Sequence, residues 1–191
     1  SMRKLVALAI LPMLLGLGCN TPKGENAQEK RDEVIKMHDD VLKAMYAAKP
    51  DLEAKVAGAP GYAVFSNASL TFFFVGGGGG YGVAIDQKNN GRKTYMKMAS
   101  GNLGLGLGVK DFRALYIFND ASAYTTFITK GWAFGAEAAA SATDRGSGGS
   151  PEPAGTVKKA VEIHQLTDAG VILKATIEGA KYSVDFDLTK P

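Results

Sequence analysis

The sequence predicts an α+β fold in which an N-terminal helix packs on a curved, mainly antiparallel β-sheet or small barrel. Three observations carry this expectation. Apolar residues recur at helical spacing near the start of the chain. Segments rich in aromatic and β-branched residues, parted by turn signals, fill most of the remainder. Glycines alternate with aliphatic residues in the middle.

The helix is expected from about Ala27 to Ala48, where Val34, His38, Val41, Leu42 and Met45 share one stripe. Glu29, Lys30, Asp32, Glu33, Lys36, Asp39, Asp40 and Lys43 occupy the other face. That face mixes both signs, which fits a helix packed on a core better than one lying in a membrane interface. A second short helix is expected at Leu52–Val56. Strands follow at Tyr62–Phe65, Leu70–Val75, Tyr81–Asp86, Lys93–Met98, Leu103–Val109 and Phe112–Phe118. Asn90-Gly91 marks a hairpin, because both residues accept the positive φ that a type I′ turn needs. Asn119 is expected to cap a helix from about Ala121 to Thr129, ended by Gly131. Trp132–Ala142 suits helix by composition and strand by position. Residues 143–156 are rich in Gly, Ser and Pro and read as a flexible loop. Val157–Leu166, Val171–Glu178 and Tyr182–Leu188 read as three closing strands.

Ahead of the domain lies an export signal. Ser1 before Met2 reads as an expression scar. Arg3 and Lys4 precede Leu5–Leu17, 13 uncharged residues. A helix needs roughly 20 residues to span a bilayer core, so the stretch fits a signal peptide rather than a membrane anchor. Gly18-Cys19 at its end resembles a lipobox, with Cys19 the lipid attachment site. The alternative is an ordinary secretory signal with Cys19 a bystander. Cys19 is the one cysteine of the chain, so no intramolecular disulfide forms. Asn20, not Asp, favours an outer-membrane address. The expected organisation is signal peptide 1–18, lipidated tether 19–27 and a single domain 28–191.

Removing residues 1–18 leaves 173 of the 191 residues, enough for one domain with a core. It lowers Lys plus Arg from 22 to 20 against 19 Asp plus Glu, so nucleic-acid binding driven by net charge is not expected.

The glycines invite two readings. Gly77, Gly79 and Gly82 satisfy G-x-G-x-x-G, but they open the strand-like Val83-Ala84-Ile85 rather than a helix, which rules out a dinucleotide site. Gly78, Gly80 and Gly82, and likewise Gly104, Gly106 and Gly108, leave one strand face bare. Such a face marks either a tightly packed, strongly curved sheet or an apolar groove for an acyl chain. Trp132 belongs to the same set, as an interface anchor or a core residue.

Gly61-Tyr62-Ala63-Val64-Phe65, the Gly-rich stretch through Gly82-Val83, Lys93-Thr94-Tyr95-Met96-Lys97-Met98, Gly104-Leu105-Gly106-Leu107-Gly108 and Gly131-Trp132, in this order, resemble the SYLF domain family, in its bacterial lipoprotein form. The resemblance covers roughly Leu52 to Ala142. It implies binding of membrane phospholipids, among them anionic or phosphoinositide-like lipids. Eukaryotic members carry a Trp-Ser-x-Pro-like segment where this chain has Tyr95-Met96-Lys97-Met98, so their link to actin is not carried over.

Clustered cations attract lipid phosphates. Lys88, Arg92 and Lys93 at the hairpin tip, Lys97 further along, and Lys110 and Arg113 about another turn are the headgroup candidates; solvated surface charge is the plainer account of each. His38 and His164 show no metal-ligand spacing, and no catalytic constellation stands out. The expected function is therefore a non-enzymatic, phospholipid-binding lipoprotein of the cell envelope, without cofactor or metal, facing the periplasm or the surface. The alternative is a structural or protein-interaction module of the envelope with no free-lipid ligand.

Overall fold

A computed structural model describes residues 22–66, 78–100, 113–133, 160–167, 170–174 and 180–190. Helix α1 spans Ala27–Ala48. Asn26 caps it, its side chain accepting from the Glu29 amide at 2.9 Å while its own amide donates to the Glu29 carboxylate at 2.7 Å. The first of these bonds satisfies a backbone donor that the helix start leaves open, and the second, from the Asn26 side-chain amide, holds the cap in place. The buried stripe is Val34, Met37, His38, Val41 and Met45, with Leu42 half-buried at its margin. Helix α2, Asp51–Gly58, buries Leu52 and Val56.

Strands β1 (Gly61–Ser66), β2 (Gly78–Asp86), β3 (Arg92–Ser100), β4 (Arg113–Phe118), β5 (Trp132–Ala133), β6 (Val161–Thr167), β7 (Gly170–Lys174) and β8 (Ala180–Val184) form one sheet, ordered β5-β8-β3-β2-β1-β4-β6-β7. All its pairings are antiparallel. Helix α3 (Ala121–Lys130) precedes β5, and a four-residue helix α4 (Phe186–Thr189) follows β8.

Side chains alternate between the two faces. One face carries Val64, Tyr81, Val83, Ile85, Tyr95, Leu115 and Ile117, covered by α1, α2 and Leu188 of α4. The other carries Ala63, Phe65, Ala84, Met96, Met98, Tyr116, Phe118, Ile163 and Tyr182, packed with Tyr124 and Phe127 of α3.

This second face is concave. Phe65 on β1 and Tyr182 on β8 have ring centroids 4.8 Å apart, although β2 and β3 lie between them. At about 4.8 Å per strand, a flat sheet would hold those backbones about 14 Å apart. Tyr116, one strand further out, meets Tyr182 hydroxyl to hydroxyl at 2.5 Å. The glycines of β2 make the curl possible. Gly82 stands opposite Phe65, and a Cβ there would run into the Val64 carbonyl and the Phe65 ring. At Gly80 a Cβ would come within 2.5 Å of the Ser66 carbonyl oxygen and 3.0 Å of Met98 Cε. Between the two glycine readings, tight packing therefore accounts for Gly80 and Gly82: neighbours already fill the space beside them. Gly78 lies in β2 opposite Ser100. Gly104, Gly106 and Gly108 lie outside the described residues, as do the expected strands Leu70–Val75 and Leu103–Val109, the loop 143–156, and Cys19 with the export signal.

Three local expectations are corrected, and one that was left open is resolved. The cap of α3 is Asp120, whose carboxylate accepts from the Ser122 and Ala123 amides at 2.6 and 3.1 Å. Asn119 instead donates its amide to the Ala160 carbonyl at 2.8 Å. The expected strand Tyr182–Leu188 ends at Val184, because Asp185 turns the chain by accepting from the Asp187 and Leu188 amides. The hairpin is not a two-residue turn. A 3-10 turn at Gln87–Asn89 precedes Asn90 and Gly91, which do take the expected positive φ of 53° and 69°. Finally, Trp132-Ala133 is strand, with Gly131 closing α3 at φ 68° in a space where any Cβ would strike the Tyr182 carbonyl.

Gly82→Ala should destabilise the domain by about 2–3 kcal/mol through overpacking. Gly91→Ala, in open space at positive φ, should cost only about 1 kcal/mol. Urea unfolding of the two variants checks the order; equal midpoints would contradict the curl argument.

Candidate functional site

The cations singled out in the sequence fall at two ends of the sheet. At one end, Arg92, Asp86, Gly61 and Phe118 stand in register across β3, β2, β1 and β4. At the other, Lys97, Tyr81, Ser66 and Arg113 do the same. Five residues separate the rows on every strand, which is about 17 Å. The hairpin cations and the Lys97–Arg113 row therefore do not make a single patch.

The hairpin tip is built on a buried anion. Asp86 accepts from the Lys88 and Asn89 amides at 3.1 and 3.2 Å and from the Asn89 side chain at 2.6 Å. Lys88, Arg92 and Lys93 are exposed around it. The tip thus holds cations about a carboxylate that offsets part of their field.

The opposite row lies on the helix-covered face, under α1. Ser66, Tyr81 and Arg113 from the sheet and Glu33, Lys36 and Asp40 from α1 line a cleft of about 310 Å³ that Lys23 also reaches. Lys36 is paired to Asp40 at 2.6 Å, and this contact holds its pKa above the ordinary lysine value. Arg113 is half-buried, and its Nε is fully buried with no hydrogen-bond partner among the described residues. A guanidinium N–H left so is costly unless a ligand or water meets it. Lys97 borders a separate, smaller cleft of about 120 Å³ with Pro22, Lys30 and α4. Its Nζ lies 3.3 Å from the buried Asp185 carboxylate, so Lys97 holds the α4 cap in place. Lys110 lies outside the described residues.

Trp132 is half-buried and packs on Phe118 and Phe127, at ring separations of 5.6 and 5.1 Å. It joins the aromatic core rather than standing alone at the surface. Sequence reasoning found Arg113 but not its companions Lys23, Lys36, Ser66 and Tyr81. No local pattern links them; only the crossing of α1 over three strand ends does.

The two histidines have protein partners. His38 contacts the Asp39 carboxylate through Nδ1 at 2.8 Å and the Tyr62 hydroxyl through Nε2 at 3.0 Å. Burial pushes the Tyr62 pKa up to about 12, so its hydroxyl keeps its proton beside the ring. His164 lies under the helices, with Nε2 3.2 Å from Glu162 and Nδ1 buried without a partner among the described residues. Glu162 also accepts from Lys55 at 2.7 Å, and that bond is the main reason its pKa lies below the ordinary carboxylate value. Among the described residues no group of three His, Cys, Asp or Glu side chains is placed to hold a metal. Nor is any helix there long and apolar enough to cross a membrane.

Fold and site together define an α+β domain: a curled antiparallel sheet between helices, with a cation-bearing cleft where the first helix crosses the strand ends. The chain is similar to Beta cell expansion factor A of Aeromonas veronii, with 31% identity over 166 residues, 87% of this chain and 61% of that protein. It thus spans about three fifths of that relative's length. No protein-family model matches the chain.

Burial lowers the His164 pKa below its ordinary 6.5, outweighing the pull of Glu162. The unfolded chain then takes up the proton first. Stability is full above about pH 6.5 and falls as the pH drops from there toward the folded pKa. The part due to Glu162, whose folded pKa is lowered, is lost only at more acidic pH. The thermal midpoint should therefore decline over the interval just below about pH 6.5. His164→Gln should flatten that interval and leave the steeper acid loss intact; an unchanged profile would contradict this account.

Proposed function

We propose that this protein is a non-enzymatic, phospholipid-binding lipoprotein of the bacterial cell envelope. It is anchored through Cys19, faces the periplasm or the cell surface, and carries a SYLF-type domain whose headgroup site is the cleft around Arg113. The observation that carries the reading is the buried Arg113 Nε, without a hydrogen-bond partner among the described residues, beside an open cleft with Lys23 and Lys36 at its border. A phosphate oxygen is the acceptor such a donor lacks, and a guanidinium matches phosphate geometry well. Lys23 adds a second reason. It lies within the tether expected at residues 19–27, so in this reading the cleft sits near the anchored end of the domain.

The hairpin cations are assigned no headgroup in this reading, because they sit a strand-length away around their own carboxylate. Gly80 and Gly82 are not proposed as an acyl groove either, since Phe65, Met98 and the β1 backbone occupy that space.

A second reading rests on the relative's name alone: the chain would, like that protein, be a beta cell expansion factor. Growth of beta cells in culture with and without the purified protein tests it directly.

The lipid reading is tested on mature protein carrying Cys19→Ser, so that no acyl chain contributes. Arg113→Gln should weaken binding to vesicles of phosphatidylcholine and phosphatidylglycerol about tenfold, the loss of roughly one charged hydrogen bond. Changing Lys88, Arg92 and Lys93 together to Glu should alter binding by less than about threefold. If the tip faced the bilayer, the same change would cost roughly 1 kcal/mol or more per residue. Failure of the unmutated domain to bind any vesicle would end the lipid reading.

A further inference from the structure

Helix α4 has only four residues, far too few to be stable by itself. It is nevertheless pinned on every side. Asp185 caps it, donating its own amide to the Tyr95 carbonyl at 2.8 Å. The Thr189 hydroxyl donates to that carbonyl at 3.1 Å and accepts from the Tyr95 amide at 3.0 Å. Arg31 of α1 reaches across to the Leu188 and Lys190 carbonyls at 2.8 and 2.6 Å, and Leu188 is buried. Phe186, on this firmly held turn, is 68% exposed. A single exposed apolar residue is ordinary by itself. The position of this one is not. Pro22, at the point where the described chain begins, is buried in the cleft formed with Asp185, Asp187 and Leu188, the immediate neighbours of Phe186.

Two residues, Asn20 and Thr21, separate Pro22 from Cys19, and the three steps reach about 10 Å when fully extended. An acyl chain on Cys19 therefore holds this end of the domain against the lipid interface. We propose that α4 is the membrane-contacting edge of the domain, with Phe186 entering the interfacial region of the bilayer beside the tether. The inference rests on the lipoprotein reading above and adds the orientation of the domain on its membrane. An aromatic ring at the interface and cations around it are what such a surface calls for. Lys23 and Lys190 are exposed here, as are the acids Glu25 and Asp187. The other two exposed large apolar side chains among the described residues, Ile172 and Leu173, lie on β7, the opposite edge strand. Five strands lie between β7 and β8 in the sheet order, so Leu173 serves as the comparison site.

The test uses the full mature lipoprotein in vesicles whose acyl chains carry bromine, a short-range quencher of tryptophan. The native chain has one tryptophan, Trp132, which gives the background. Phe186→Trp should show a blue-shifted emission and roughly twofold more quenching than the native chain. Leu173→Trp should show no more quenching than the native chain. If vesicle-bound Phe186→Trp is no more quenched than the native chain, the orientation is overturned and the anchor stands. If the mature protein does not float with vesicles at all, the anchor reading fails and takes this inference with it.

Discussion

Tyr116 and Tyr182 meet inside the concave face of the sheet, from strands that a flat sheet would keep about 19 Å apart. Most of the architecture follows from bringing them together. Their two hydroxyls give each other a hydrogen-bond partner in an otherwise apolar cluster, and burial raises both pKa values, so the pair stays protonated. Phe65 and Phe127 fill the remaining volume, Phe65 edge-on to both tyrosines and Phe127 stacked on Tyr116 and tilted to Tyr182. Curling a sheet this far crowds the inner face of its central strand. β2 answers with Gly80 and Gly82, where neighbouring atoms already occupy the place of a side chain.

The convex face follows from the same bend. A single long helix can cover several strands only where the sheet falls away from it, so α1 covers the middle of the face and leaves openings toward the strand ends. The Arg113 cleft is one such opening. Its chemistry therefore derives from the curvature as much as from the residues that line it, and the proposed headgroup site and the aromatic core are two results of one bend.

Much of the fold was legible because its determinants are local. The stripe from Val34 to Met45, the positive φ of Asn90 and Gly91, and the closure of α3 at Gly131 are all written within a few residues. Asn119 misled because two adjacent cap-forming residues compete, and Asp120 lies one residue nearer the amides to be capped. Tyr182–Leu188 misled because its alternation continues past Val184, while the stop comes from Asp185 and from Tyr95, distant in sequence. The alternating glycines announced strong curvature or a groove without choosing between them. That choice depended on where Phe65 lies, which is a fact of register. For the site, Arg113 could be named from the sequence, but its depth and its companions required three strands and a helix to be in place. The hairpin cations were the more conspicuous signal, yet they surround a carboxylate that sequence alone could not show to be buried.

Arg31 near the start of the chain holds the carbonyls of Leu188 and Lys190 near its end, and β8 supplies the strand between β3 and β5. The first and last elements are therefore parts of one clasp. A chain delivered N-terminus first cannot close that clasp until Leu188 and Lys190 have emerged. Before then β3 lacks its outer neighbour and α1 lacks α4. Contacts of such long sequence separation form late and slowly. A polypeptide built this way stays open while it is being made and locks only once Leu188 is free, a timing set by where Arg31 and Leu188 lie along the chain.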